Sequence, residues 1–582
     1  MGFIRQGKRA ELVRGAELVR HEFGLYFTAI RFGAGMGLIV FASTLYFAAD
    51  WFMSARSKEL LTCRLVAMYH VSSGAPDMRV QVLLEKGRDV RRYAIPARDV
   101  LQLTAPEWAT IRLQLLACGT FAALASSLIV LLTHRNWRRH GRHAGEDEVL
   151  RGAEFIEPAT VVRELQQRGV ASHVAFGGVP LERGCEVLNT MVTGTVGSGK
   201  SVAISGALAG VRLERQKAIV FDPTGEYVER FYREGRDIVL NPFDQRSPLW
   251  KPWNEVRVAY DYANLAEGFV PVMNLKEPFW ESGAQIVLED VMGRLAKLGK
   301  NTNRALVHAI NVMALEEIQQ LVKALPASVY MDPEAARTAL GVRMNVVRAA
   351  KSLRFLEDGP AERQFSIRDW VAARDQDSWL FLSCREDMLT TMRPLITAWM
   401  DAALRAVMTL GPDVSRLIWN VIDELPALDK IPCLSQVATR GRKYGIASIL
   451  GYQNFAQLKR VYGPEDAQTI ISTCQNMLTL RVPDFATAEQ VAKNLSAQEV
   501  LEKSENVSFG KDPARDGVSI SSRRVMRNLV LPAEIQGLPQ FHGYLRLAGR
   551  NDLMKIAFAY RDYLRIAPPF VERRIVAYDL DQ

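Results

Sequence analysis

The chain has 582 residues, which is too long for one ordinary core and predicts about three or four domains of about 150 residues each. Hydrophobic residues make up 48% of it and charged residues 24%. Both fractions are near the globular average, so most of the chain is expected to be soluble and folded. The net charge of +9 permits contact with nucleic acid or anionic lipid. The six cysteines lack a Cys-x-x-Cys spacing, which argues against a zinc site, a redox motif or a disulfide scaffold.

Two long apolar runs lie near the N-terminus, at residues 27–49 and 113–133, and Arg31 is their only charged residue. A helix needs about 20 such residues to cross the hydrocarbon core of a membrane. Both runs are therefore predicted to be transmembrane helices, and two buried core helices are the alternative interpretation. Residues 1–26 are basic, and no small-residue cleavage site follows the first run, which indicates an anchor rather than a cleavable signal peptide.

The flanking charges bear on the orientation of these two spans. Basic residues are frequent in residues 1–26 and again between residues 135 and 142, and positive flanks stay in the cytoplasm. The intervening residues 50–112 are also rich in arginine, so the flanking charges alone do not decide the orientation. Two spans nevertheless place both termini on the same side of the membrane. We expect residues 50–112 to form a small periplasmic module, in which Arg79–Ile95 reads as two short strands around a Lys-Gly turn.

Gly33 and Gly37 form a G-x-x-x-G pattern in the first predicted span. This spacing lets two helices approach closely in a membrane. Because glycine is common in membrane spans, the pattern is only a weak indication of oligomerisation.

From about residue 144 onwards, predicted strands alternate with predicted helices, which is typical of a mainly parallel α/β sheet. Between residues 248 and 364 the pattern changes to one helix after another, and we interpret this segment as an all-α domain inserted into the sheet domain. Residues 499–527 are polar and charged and are interpreted as a long loop. The predicted strands are Glu186–Val192, Lys217–Phe221, Asp237–Leu240, Trp379–Ser383, Leu417–Ile422, Ala447–Tyr452 and Met477–Val482.

A phosphate-binding motif follows the first of these strands and precedes a predicted helix, Val202–Arg215. The glycines let the backbone amides wrap around phosphates, Lys200 is predicted to reach the β- and γ-phosphates, and the Ser201 hydroxyl is predicted to bind Mg²⁺. ATP and Mg²⁺ are the expected ligands. The predicted nucleotide-binding residues are Gly194, Thr195, Val196, Gly197, Ser198, Gly199, Lys200 and Ser201.

A second motif ends the apolar strand Leu417–Ile422 with two carboxylates. Asp423 is predicted to help hold Mg²⁺, and Glu424 is the candidate base for the attacking water. The nucleotide-binding domain is thereby divided into a first part at residues 134–247 and a second part at residues 365–582, on either side of the all-α domain.

Two further polar features lie near these motifs. Gln453 follows the next predicted strand, where it is expected either to contact the γ-phosphate or the water, or to be a solvated loop residue. Arg440, Arg442 and Lys443 form a cationic turn. This turn could supply an arginine finger to a neighbouring subunit, contact DNA phosphates, or be a solvated face.

The ordered motifs resemble those of the type IV secretion coupling proteins, the TraD/TrwB family of conjugative DNA pumps. The resemblance extends over nearly the whole chain. Behind the two predicted membrane spans, family-like stretches accompany the phosphate-binding motif (Walker A) and the strand that ends in two carboxylates (Walker B). These stretches are Phe221–Glu226, Asn241–Arg246, Phe365–Trp370, Cys384–Met388, Met392–Leu395, Gly441–Lys443, Gln453 and Leu531–Ile535.

The resemblance implies a RecA-like P-loop NTPase domain with an inserted all-α domain, preceded by two transmembrane helices. It implies a homohexamer on the bacterial inner membrane, with both termini and the ATPase domain in the cytoplasm. It implies a role in linking a relaxase–DNA complex to a type IV secretion channel, with single-stranded DNA as cargo. By the same resemblance, the ATPase residues are Lys200, Asp423, Glu424, Arg442 and Gln453.

Three alternatives stay open at this point. The chain could recruit protein effectors for secretion, with the all-α domain as the recognition surface. An FtsK-like DNA translocase is a second possibility, although neither additional membrane spans nor a terminal DNA-reading module is recognisable. A membrane scaffold with an inactive P-loop is disfavoured because Lys200, Ser201, Asp423 and Glu424 are all present. Because no base-reading motif is recognisable, we expect DNA contact to be sequence-independent.

Overall fold

The computed structural model describes residues 2–86, 89–145, 147–273, 276–373, 377–413, 415–495, 497–508 and 517–573. The chain divides into two compact units. The first comprises Met1–Val149 and Val500–Val525, and the second comprises Leu150–Glu499 and Met526–Gln582.

Two long helices of the first unit contain the predicted spans. Helix α1 is Gly2–Phe52, and its segment Ala29–Phe52 is long and apolar enough to cross a membrane. The same holds for the segment Ala105–Arg139 of another helix, Ala105–Gly145. Both helices continue well beyond the apolar runs. The second extends into the beginning of the segment that was assigned from sequence to the nucleotide-binding domain. That stretch is rich in arginine, which is a good helix former.

A small module separates the two long helices. It consists of α2 (Ala55–Ser72), a hairpin of β1 (Arg79–Lys86) and β2 (Asp89–Pro96), and α3 (Ala97–Leu103). The second long helix, Ala105–Gly145, is α4. The hairpin is antiparallel and pairs Arg79 with Pro96 and Lys86 with Asp89. The two predicted strands are confirmed, whereas Gly87 of the predicted turn lies outside the described residues.

One glycine of the G-x-x-x-G pattern lies at a close approach of α1 and α4. Ser126 Oγ donates a hydrogen bond to the carbonyl oxygen of Gly37 at 2.7 Å. A Cβ at Gly37 would lie 3.2 Å from a methyl carbon of Val130, whereas a Cβ at Gly33 would meet nothing within 4 Å. The described structure therefore uses Gly37 for packing within the chain.

The second unit is organised around a nine-stranded sheet of order β16-β15-β12-β6-β11-β10-β7-β9-β8. The strands from β12 to β8 run parallel, and β15 and β16 extend the sheet with antiparallel pairs. The second unit also has a two-stranded sheet of order β4-β5, whereas a sheet of order β14-β13-β3 is formed mainly by residues of the first unit. The strands are β3 (Glu148–Gly152), β4 (Ala171–Phe176), β5 (Val179–Glu182), β6 (Thr190–Thr193), β7 (Lys217–Asp222), β8 (Ile238–Leu240), β9 (Trp379–Ser383), β10 (Ile418–Ile422), β11 (Ile446–Tyr452), β12 (Asn476–Thr479), β13 (Ala497–Ser508), β14 (Gly517–Asn528), β15 (His542–Arg546) and β16 (Met554–Ala557).

The central strands are buried throughout and mostly apolar because helices cover both faces of the sheet. Successive residues point to opposite faces, so Ile219 and Phe221 of β7 belong to one hydrophobic core, while Ala218 and Val220 belong to the other. The predicted mainly parallel sheet is confirmed, and each of the seven predicted strands overlaps an observed one.

The helices of the second unit lie on both faces of the sheet and between β8 and β9. Between those two strands the described residues form α-helices, 3-10 helices, connecting segments and isolated β-bridges but no further strand, which confirms the inserted all-α region. The helices are α5 (Pro158–Gln167), α6 (Lys200–Leu213), α7 (Glu226–Phe231), α8 (Tyr260–Phe269), α9 (Phe279–Lys297), α10 (Asn303–Asn311), α11 (Leu315–Leu321), α12 (Ala327–Tyr330), α13 (Ala336–Ala350), α14 (Ile367–Ala372), α15 (Glu386–Thr409), α16 (Leu434–Arg440), α17 (Phe455–Tyr462), α18 (Pro464–Thr473), α19 (Phe485–Leu495) and α20 (Pro532–Gln536).

Two sequence-based assignments are corrected. The interpretation of residues 499–527 as a loop is wrong, because β13 and β14 occupy most of this segment. The predicted strand Glu186–Val192 begins only at Thr190. Glu186–Leu188 is a 3-10 helix, and Asn189 has a left-handed φ of 55°, which prevents an extended backbone from starting earlier.

Candidate functional site

The loop between β6 and α6 has the backbone geometry that its glycines permit. Gly197 and Gly199 have left-handed φ values of 74° and 109°, which residues with a Cβ rarely adopt. A Cβ at Gly194 would lie 2.6 Å from Ser198 Oγ. The Thr195 N–H donates to the Arg481 carbonyl oxygen at 3.0 Å, and this bond ties the loop to the end of the neighbouring strand β12.

The side chains predicted to bind and hydrolyse the nucleotide converge at the carboxyl ends of β6, β10 and β11. Lys200 begins α6, and its Nζ lies 2.6 Å from Glu424 Oε2 and 3.5 Å from Asp423 Oδ1. Ser201 Oγ donates to Asp423 Oδ2 at 3.1 Å. Gln453 Nε2 donates to Glu424 Oε2 at 2.8 Å. The structure thus brings five predicted residues, distant in sequence, into one hydrogen-bonded group.

Tyr227 belongs to the same group but was missed by the sequence analysis. Its hydroxyl donates to Asp423 Oδ2 at 2.7 Å, and burial raises the pKa of this phenol well above its usual range. The residue lies near the start of the short helix α7, after the segment Phe221–Glu226 noted for its family likeness. That likeness was the only available signal, since no general motif assigns a role to a tyrosine at this position.

The turn that leads into α7 is fixed by Asp222 at the end of β7. Its carboxylate accepts hydrogen bonds from the backbone N–H groups of Gly225 and Val228, both at 2.8 Å. Complete burial raises the pKa of Asp222 to about 6, although these donors act in the opposite direction. The buried carboxylate holds the turn beside the cleft.

A cleft of about 570 Å³ opens beside the phosphate-binding loop. Several lining side chains come from segments without a recognisable nucleotide motif, and Phe541 packs directly against the phosphate-binding loop. Its N–H donates to the Ser198 carbonyl oxygen at 3.0 Å, and its ring lies 2.8 Å from where a Cβ of Gly199 would be. The lining residues missed from sequence include Thr224, Glu226, Arg230, Glu386, Gln540, Phe541 and Tyr560.

Arg442 is not among the side chains that line this cleft. It lies in the 3-10 helix Gly441–Tyr444 and lines a separate, open groove together with Thr439, Arg440 and Lys443. A role for Arg442 within the nucleotide site of its own chain is therefore not indicated, whereas a role in a neighbouring subunit stays a prediction.

The residues beside the loop fit a Mg²⁺ ion bound together with a nucleotide. Mg²⁺ takes oxygen ligands and is usually held by one or two protein groups plus phosphates and water. Asp423 Oδ1 is buried and accepts no hydrogen bond from the described residues, and the Ser201 hydroxyl is adjacent to the other oxygen of the same carboxylate. The Asp423 carboxylate and the Ser201 hydroxyl thus provide oxygen ligands for the ion close to Lys200.

Comparison with known proteins decides the family. A family model described as the type IV secretion-system coupling protein DNA-binding domain matches residues 173–559, which is more than half of the chain. The chain belongs to the type IV secretion-system coupling protein family. This result confirms the family that the motifs indicated.

Relatives and solved structures agree with this assignment. Coupling protein TraD of Escherichia coli strain K12 is 29% identical over 471 residues, which cover 79% of this chain and 66% of TraD. The unbound conjugative coupling protein TrwB has a TM-score of 0.66 at 28% identity, covering 73% of this chain and 97% of the TrwB chain. TrwB in complex with ADP and Mg²⁺ has a TM-score of 0.66 at 29% identity, covering 74% and 98%. The predicted RecA-like fold with an all-α domain is confirmed.

Proposed function

We propose that the chain is an ATPase of the bacterial inner membrane that couples a relaxase–DNA substrate to a type IV secretion channel and drives single-stranded DNA through it. The observation that carries this proposal is the convergence of Lys200, Ser201, Asp423, Glu424 and Gln453 beside one cleft. A phosphate cradle, metal ligands and a water-activating carboxylate are the parts that ATP hydrolysis requires.

The contacts of Lys200 suggest how nucleotide binding sets up the reaction. The Lys200 ammonium is paired with Glu424. The β- and γ-phosphates would compete for this ammonium, and Glu424 would then be free to accept a proton from water while Gln453 holds the same carboxylate in place. Bound Mg²⁺, held by Ser201 and Asp423, would neutralise charge on the phosphates. The binding of ADP and Mg²⁺ by TrwB supports the assignment of ATP and Mg²⁺ to this cleft.

The two long helices support the proposed location. Ala29–Phe52 and Ala105–Arg139 are long and apolar enough to span a membrane, and the cleft must meet ATP, which is cytoplasmic. We place the residues before the first span and after the second in the cytoplasm, and the module between them in the periplasm.

A homohexameric ring is the assembly that we propose for translocation, with Arg442 acting on the nucleotide of a neighbouring subunit.

The open groove lined by Arg440, Arg442 and Lys443 carries three positive charges without a base-reading motif. Contact with DNA phosphates through such a groove would be independent of sequence and sensitive to salt.

The decisive experiment measures ATP turnover by the detergent-solubilised full chain, with and without single-stranded DNA. We expect DNA to stimulate turnover and Glu424→Gln to lower it by about 100-fold or more, because a carboxamide cannot accept the proton from water. Glu489→Gln is the matched control, since Glu489 is partly exposed, lies outside the cleft and pairs only with Lys493 in the described structure. Turnover that ignores DNA but rises with a secreted protein would overturn the DNA assignment in favour of an effector receptor.

A further inference from the structure

The two oxygens of Asp423 have different surroundings, and Tyr227 is the reason. Oδ2 accepts hydrogen bonds from the Tyr227 hydroxyl at 2.7 Å and from Ser201 Oγ at 3.1 Å. Oδ1 is buried, accepts no hydrogen bond from the described residues, and lies 3.5 Å from Lys200 Nζ. Oδ2 therefore accepts two hydrogen bonds, whereas Oδ1 accepts none from the described residues and faces Lys200.

Tyr227 is held rigidly in this position. Its side chain is only 1% exposed, and it follows directly on the turn that the Asp222 carboxylate fixes through backbone N–H groups. Gly225 in that turn has a left-handed φ of 81°, and a Cβ there would lie 2.9 Å from Pro569. The hydroxyl cannot follow Asp423 into another orientation without disturbing this packing.

We propose that Tyr227 is a positioning residue for the Mg²⁺ ion: it holds Asp423 Oδ2 and thereby keeps Oδ1 oriented toward the metal and its water shell. A carboxylate without this bond is free to turn and to exchange its two oxygens. Groups that orient metal-binding carboxylates by hydrogen bonds commonly contribute about 10- to 100-fold to metal affinity. This inference rests on the proposed function, because it concerns how the same cleft binds a nucleotide with Mg²⁺.

The test measures equilibrium binding of a non-hydrolysable ATP analogue to the detergent-solubilised full chain, once in excess Mg²⁺ and once in EDTA. Tyr227→Phe keeps the buried ring and removes only the hydroxyl. We expect the gain in affinity that Mg²⁺ provides to fall by about tenfold, while the affinity in EDTA stays unchanged because Lys200 and the loop amides are intact. A merely structural role would lower both affinities.

Tyr462→Phe is the matched control. Tyr462 is equally buried, its hydroxyl accepts a hydrogen bond from the Ile431 N–H at 3.4 Å, and it does not line the cleft. This variant should keep the wild-type response to Mg²⁺. An unchanged Mg²⁺ response in Tyr227→Phe, or an equal loss of affinity in Mg²⁺ and in EDTA, would overturn the proposal.

A double substitution tests the route through Asp423 and does not depend on the single variant alone. If Tyr227 acts only by orienting Asp423, Tyr227→Phe should have no further effect on Mg²⁺-dependent binding in an Asp423→Ala background. Additive losses would contradict the inference. A wild-type chain that binds no nucleotide in either condition would refute the proposed function itself, whereas normal wild-type binding with a normal Tyr227→Phe refutes only the role of Tyr227.

Discussion

Lys200 contacts two carboxylates at the place where the proposed function requires it to bind phosphate. Its side chain is 8% exposed, and its ammonium lies within 4 Å of Asp423 and Glu424, yet the phosphates of a nucleotide would require the same group. Exchanging carboxylate partners for phosphate partners would leave an anionic group beside the ammonium, so the buried charge would stay paired.

Lys200→Ala should lower ATP turnover by at least about 100-fold, because it removes the cation that stabilises charge on the transferred phosphoryl group. Membrane insertion should be unaffected, since the candidate spans lie outside the nucleotide site. ATP turnover and membrane fractionation check the two expectations. Lys493→Ala, which changes an exposed lysine paired with Glu489, is the control. Normal turnover in Lys200→Ala would refute the assignment of the phosphate-binding loop.

The sequence predicts a site residue when a local motif defines it. Lys200, Ser201, Asp423 and Glu424 belong to such motifs, and Gln453 follows a recognisable strand. Tyr227 and Phe541 could not be predicted from spacing, because their roles depend on which segments pack against the loop, and these segments are separated from it along the chain. Arg442 stands out by its charge, but charge alone assigns it no partner.

Buried elements were easier to predict than exposed ones. The strands β7, β9, β10 and β11 are mostly apolar and are buried along their whole length because both faces are covered. The strands β13 and β14 are polar and charged, so neither an apolar run nor a strict alternation identified them. Strand pairing stabilises such segments through backbone hydrogen bonds, and the identity of the side chains gives little indication of it.

The packing of α1 against α4 gives a prediction for one element. Gly37→Leu should lower the free energy of unfolding of the detergent-solubilised chain by about 1–3 kcal/mol, because the new side chain collides with Val130 and forces the helices apart. Chemical denaturation followed by circular dichroism measures the change. Gly33→Leu is the matched control, since a Cβ there meets no atom within 4 Å. Equal destabilisation by both variants would contradict the proposed packing.

At the scale of the whole molecule, the candidate spans and the nucleotide cleft belong to separate compact units. The residues that form the cleft all belong to the second unit, from Thr195 to Tyr560. The proposed nucleotide site is thus contained in a part of the chain that has no candidate span among its described residues.

Deletion of residues 1–146 should therefore give a soluble protein that still hydrolyses ATP but assembles poorly into hexamers. The physical reason is that both apolar helices are removed, and with them the local concentration that a shared membrane provides. Analytical ultracentrifugation of the fragment, with and without single-stranded DNA, measures its assembly, and ATP turnover measures its activity. Robust hexamers in the absence of DNA would contradict the idea that the membrane spans are the main assembly element.

The contact between Phe541 and Ser198 also has a consequence for the order of events during synthesis. The two Walker motifs are complete once residue 424 has been made, but the Ser198 carbonyl oxygen finds its backbone donor only when residue 541 has left the ribosome. Gln540, Phe541 and Tyr560, which form one wall of the cleft, come from the same late segment. A nascent chain thus carries both signature motifs long before it has a finished nucleotide pocket.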